Sequence, residues 1–120
     1  MVTRLTIEGT PADPAQTVLN GAQIDGLLTG NTAYLELPSG IASLLYGADG
    51  VAVVKFPSGA TKKGPWTILA DHYCVDWETG PANSCSRVVK TAGGITMVDV
   101  VTGEGRGRVK NIAPGNPESL

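Results

Sequence analysis

Fifteen residues, DHYCVDWETGPANSC (71–85), gather the chain's one histidine, both of its cysteines and one of its two tryptophans. Three chemistries use such a set. A cysteine nucleophile needs a histidine base beside it, and His72 would share a strand face with Cys74. A zinc site commonly has four ligands, often in C-x-x-C pairs; two cysteines, one histidine and no such pair fit it poorly. The third chemistry is a disulfide. If 72–77 and 84–91 form a hairpin around ETGPAN (78–83), with its centre between Gly80 and Pro81, Cys74 lies directly opposite Cys85. Facing non-hydrogen-bonded positions bring Cα atoms to about 4.5 Å, at the short end of what a disulfide accepts. The spacing favours this bridge, which would stabilise the fold by about 2–3 kcal/mol through the unfolded state and implies an oxidising compartment; two reduced, merely structural thiols are the remaining reading.

The same register places Arg87 opposite His72 and Asn83 opposite Asp76. His72, Asp76, Arg87 and Asn83 then form a polar patch around the bridge. It is either a site for a small polar or anionic ligand or the solvated face of a hairpin, where cross-strand pairs contribute only tenths of a kcal/mol. The opposite face carries Tyr73, Val75 and Trp77, with Val88 across from them and Trp66 joining from the preceding strand. That side is the core, or else the aromatic wall of a barrel pocket offering flat surface and polar tips. The candidate ligand-binding residues are therefore His72, Asp76, Arg87, Tyr73, Trp66 and Trp77. Nothing in the pattern assigns a catalytic residue, a cofactor or a metal.

Other motifs are weaker. EGRGRVKN (104–111) puts Arg106, Arg108 and Lys110 on one strand face. A phosphate or nucleic-acid contact is one use of such a stripe. Charges that protect a sheet edge from aggregation are another, favoured here because the chain has a net charge of −2 and nucleic-acid binders are usually basic. GEGRG lacks the G-K-[ST] of a phosphate loop, and no G-x-S-x-G or H-E-x-x-H occurs.

These residues need elements to hold them. A chain of 120 residues makes one domain. Glycine and proline make up a fifth of it, against about 12% on average, and they are spread out, which punctuates many short elements. Few aromatics leave an aliphatic core. TVLNGAQIDGLLTGNT (17–32) is the helical candidate: Leu19, Ile24, Leu27 and Leu28 share a face, Asn20 or Thr17 can cap it, and Gly30 suits its end. Strands are expected at 32–37, 41–46, 51–56, 64–69, 72–77, 84–91, 95–101 and 106–111. The expected organisation is a weakly structured segment over 1–16, with a short strand through Val2, Leu5 and Ile7, then a β-rich domain over 17–111 and an extended tail over 112–120. Eight short strands with turn signals between them predict a mainly β fold, an antiparallel meander forming a small barrel or strongly curved sheet with one short N-terminal helix. No run approaches the roughly 18 apolar residues of a membrane span, and no secretory leader follows Met1; the start fits a cytoplasmic protein, the minority reading, or an exported one from which a leader has been removed.

LLTGNT (27–32), LYGADGV (45–51), GPW (64–66), YCVDW (73–77), CSRV (85–88) and GNP (115–117) together give a pattern of a helix, Gly-x-Trp, Tyr-Cys-x-x-Trp and a second Cys. Over residues 19–117 it resembles small exported proteobacterial domains of unknown function of the DUF995-like kind. The resemblance implies a β-rich exported domain with a Cys–Cys bridge, periplasmic or secreted, and carries over no catalytic residue. The functional expectation is a non-enzymatic domain that binds a small ligand or a partner protein through its sheet. The alternatives are a small barrel enzyme of isomerase or cyclase type using His72, Asp76 or Tyr73 as acid or base, and a structural accessory subunit.

Overall fold

The structure, a computed structural model, describes residues 16–78 and 84–120. The elements are β1 (Thr17–Val18), α1 (Gly21–Leu28), β2 (Asn31–Leu37), β3 (Gly40–Tyr46), β4 (Val51–Lys55), β5 (Thr61–Ile68), β6 (Tyr73–Val75), β7 (Ser84–Thr91), β8 (Gly94–Asp99) and β9 (Gly105–Pro114). From β2 onward each strand pairs antiparallel with its successor, and β9 returns to β2. The meander thus closes into an eight-stranded up-and-down barrel. β1 is an extra strand, pairing with Lys90 and Val89 of β7 beyond the point where β6 leaves it.

Alternation decides the interior. Ala33 and Leu35, Ala42, Leu44 and Tyr46, Ala52 and Val54, Trp66, Tyr73 and Val75, Val88, Met97 and Val109 are buried members of one core. α1 closes one end. Asn20 caps it, accepting from the Gln23 amide at 2.9 Å, while the Gln23 side chain accepts from the Asn20 amide at 2.9 Å; this reciprocal capping box satisfies donors that a helix start leaves free. The Gly21 amide donates to Ala70 in the β5–β6 turn, and after the helix the Gly30 amide donates to Tyr46 at the end of β3. The helix therefore spans the barrel end, with Ile24 and Leu28 fully buried. Gly30 sits at φ +80°, a left-handed conformation that glycine adopts without cost and that turns the chain into β2.

Of the two caps expected for the helical segment 17–32, Asn20 and Thr17, the structure uses Asn20, and Thr17 and Val18 before it are strand. The last strand differs more. β9 was expected to be an edge with its three cations on one face. It is paired on both sides, and its register shifts between Gly105 and Gly107 and again between Val109 and Asn111. Each shift interrupts the alternation, so Arg106, Arg108 and Lys110 do not form one stripe. β9 also runs to Pro114. Beyond it the tail lies along β2, where Thr32 donates to the Gly115 carbonyl at 2.8 Å and Tyr34 to Glu118 at 2.9 Å. The expected N-terminal strand through Val2, Leu5 and Ile7, and the turn residues Gly80, Pro81 and Asn83, lie outside the described residues.

Candidate functional site

Eight strands leave an interior just wide enough to be filled by side chains or to hold one small ligand. This barrel does both. The helix end is filled by three aromatic rings, Tyr46, Trp66 and Tyr73, packed edge to face with centroids 5.2 to 6.2 Å apart. Their polar tips are satisfied: the Tyr46 and Tyr73 hydroxyls are 2.7 Å apart and Trp66 Nε1 donates to the Gly47 carbonyl at 2.9 Å. Burial pushes the Tyr46 phenol well above its ordinary range, and it raises Tyr73 too, where the Tyr46 and Ser86 hydroxyls and the Arg106 charge pull it partly back.

Above this floor lies a cavity of about 260 Å³. Its walls are unequal. Leu35, Leu37, Ala42, Leu44, Val54 and Phe56 make an apolar side from β2, β3 and β4, while Tyr73, Ser84, Ser86 and Arg106 bring polar groups from β6, β7 and β9. At the mouth stand Phe56, Lys62, Trp77 and Arg106. The Lys62 ammonium lies over the Phe56 ring, 5.9 Å from its centroid, a cation–π contact that holds the charge at the rim. Arg106 donates to Ser84 Oγ and to the Asp99 carboxylate. Asp99 also accepts the Thr102 and Val101 amides, and these bonds, with Arg106, hold it below the usual carboxylate range.

The polar patch beside the bridge is elsewhere. Cys74 and Cys85 face one another as expected, with Cα atoms 4.0 Å apart and sulfurs at bonding distance. They lie on the outer wall. There Asp71 Oδ1 accepts from His72 Nδ1 at 2.7 Å, and Asp71 Oδ2 is 3.7 Å from Arg87 Nε. The bond from His72, helped by Arg87, holds the Asp71 carboxyl below its usual range. Asp76 is exposed. The six candidate ligand residues thus divide. Tyr73 and Trp77 line the cavity and Trp66 lies in its floor, whereas His72, Asp76 and Arg87 are outside the barrel and line no part of it.

Sequence reasoning missed Lys62, Ser84 and Ser86 and weighed Arg106 only as part of a strand-face stripe, not as a cavity residue. Counting by twos from Trp66 through Gly64 reaches Lys62, so its inward aim was legible. Ser84 and Ser86 pair with Val75 and Tyr73 and could have been read from the same hairpin. Arg106 gave no such signal, because its aim depends on the bulge. The chain has no match among protein-family models, curated proteins or solved structures.

Proposed function

We propose that the protein is an exported, non-enzymatic binding domain that takes up a small, mainly apolar molecule with one acidic end inside its barrel. The cavity carries this reading: apolar walls with a few convergent polar groups are the usual make-up of a ligand site, and here the cations sit at the mouth. The apolar part would lie against Leu35, Leu44 and Val54, with the acidic end near Lys62 and Arg106. Binding is favoured over turnover because His72 and Asp76, two of the three acid–base candidates of an isomerase or cyclase reading, face away from the cavity, while the third, Tyr73, lines it with a phenol that burial holds above its ordinary range. Docking of a partner on the sheet is less supported. Among the described residues, the large exposed apolar side chains Val18, Ile41, Leu69 and Val101 belong to different elements, whereas docking surfaces are contiguous.

Export is supported by the facing cysteines, since disulfides persist mainly outside the cytosol. Kinship with the exported domains named above is part of the proposal. It rests on Gly64-Pro65-Trp66, Tyr73-Cys74, Trp77 and Cys85, residues that build the cavity floor, its wall and the staple.

Octanoate and octanol, which share chain length but not charge, test the ligand reading by thermal shift and calorimetry. Octanoate is expected to bind, and more tightly than octanol; Leu44→Trp, which fills the cavity, should abolish binding, and Lys62→Glu should remove the preference for the acid. Binding that Leu44→Trp leaves intact, or no binding of either probe, overturns the reading. Alkylation without reductant, followed by mass measurement of protein from its native compartment, tests the bridge: label on Cys74 and Cys85 there would contradict export.

A further inference from the structure

The outer wall holds a constellation that cavity binding does not use. His72, Cys74 and Cys85 each offer a ligand atom, and the three atoms lie within 4.8 Å of one another. We propose that reduction of the Cys74–Cys85 bond turns this group into a binding site for one soft divalent cation, Zn²⁺ being the chemical type, so that a metal clip replaces the covalent staple. The inference does not depend on the cavity.

The geometry is close to what the ion requires. Tetrahedral zinc with sulfur at about 2.3 Å and nitrogen at about 2.0 Å puts its ligand atoms roughly 3.5–3.8 Å apart. Once their bond is cut, the two sulfurs can separate to that distance by side-chain rotation, while the pairing of β6 with β7 keeps them facing. His72 is set for the role by its neighbour. Its Nδ1–H is held by Asp71 at 2.7 Å, which leaves Nε2 with a free lone pair, the carboxylate–histidine arrangement common at metal centres. Two thiolates, one imidazole and a solvent-facing fourth position make a Cys2His set, and two thiolate charges neutralise the cation. While the disulfide is intact its sulfurs carry no charge and cannot serve as thiolate ligands.

The redox step balances with a dithiol reductant. Two electrons and two protons pass from the dithiol, which becomes a disulfide; the Cys74–Cys85 bond breaks to two thiols, and the cation then displaces both thiol protons to water.

Cobalt(II) is the probe, because thiolate ligation gives it a charge-transfer band in the near ultraviolet and strong visible bands in a tetrahedral site. A phosphine is the reductant, since it does not compete as a chelating thiol; it becomes the phosphine oxide with oxygen from water. Reduced protein should take up one equivalent of Co²⁺ with these bands, Zn²⁺ should displace it, and unreduced protein should show none. His72→Ala should weaken uptake by at least about tenfold, and Asp71→Asn by about 10–100-fold, the range for the loss of such an orienting partner. The near-ultraviolet circular dichroism of Tyr46, Trp66 and Tyr73 reports whether the reduced barrel is intact. No uptake by the reduced protein, equal uptake by the oxidised protein, unchanged affinity in His72→Ala, or loss of the aromatic signal on reduction each overturns the proposal.

Discussion

Gly64 has no room for a side chain. A Cβ there would stand 2.1 Å from the Asp76 carbonyl oxygen and 3.0 Å from the Trp77 Cα, both backbone atoms. The chain after β6 passes this close because the Asp76 amide donates to Pro65 and the Glu78 amide to Lys63. Gly64→Ala must therefore push two strands apart, and a loss of about 3 kcal/mol is expected in denaturant unfolding. Gly26 is the opposite case. It is an exposed helical glycine with open space around its Cα, so Gly26→Ala should raise stability by about 0.5–1 kcal/mol. Both glycines are visible in the sequence, but their opposite roles are not. A helix interior is a local pattern, and the cost of Gly26 can be read from its neighbours in the chain. The need for Gly64 comes from residues twelve positions away, brought close only by closure of the sheet. Asn20 belongs with Gly26: its cap was legible because the groups it bonds are three residues off, and Asn20→Ala should lower the melting point by an amount equivalent to about 1 kcal/mol.

At the level of elements, glycine and proline marked most hairpin turns, and strand positions followed to within a few residues. The bulges of β9 were not marked, and with them went the aim of Arg106. The turn from β8 to β9 is organised by Asp99, which accepts the Val101 and Thr102 amides at 2.8 and 2.9 Å and pairs with Arg106 at the cavity mouth. All three interactions favour the charged carboxylate, so its folded pKa lies below the unfolded value of about 3.9. A depressed folded pKa means that the folded state holds this proton less tightly. Stability from Asp99 is thus fully present above the unfolded pKa and is lost as the pH falls through the folded one. Unfolding measured from pH 6 down to pH 2 should show a decline below about pH 4 that is shallower in Asp99→Asn. The same variant should leave Arg106 without its carboxylate partner. If the acidic end of the ligand meets Arg106, octanoate affinity should rise in this variant while octanol affinity stays unchanged.

The whole molecule is a ring of pairings, and a ring opens at its weakest seam. β2, β3 and β9 pair over long stretches, whereas among the described residues β6 has only three, Tyr73, Cys74 and Val75, in register with β5 on one side and β7 on the other, and only the β5 side is extended, by the Asp76 and Glu78 amides. The closing contact between β2 and β9, between segments far apart in sequence, could not be foreseen from local patterning, and neither could the position of the weak seam. The bridge sits at the centre of that seam. Cross-linking two residues 11 apart is worth about 2–3 kcal/mol in the chain-entropy account, and a barrel of this size can lose that much and remain folded when its total stability is about 5–15 kcal/mol. The double variant Cys74→Ser, Cys85→Ser should therefore keep the barrel but unfold at lower denaturant by that amount. Local opening follows the places with fewest pairings. In hydrogen exchange the variant should lose protection first at β6 and in the facing halves of β5 and β7, while β2, β3 and β9 change only by the global loss. A uniform loss across all strands would mean that the bridge acts on the unfolded chain alone. A loss centred on β6 would mean that it also closes the ring, and the cavity, which has Tyr73, Val75 and Ser86 in its wall, would then be tightened by the same bond.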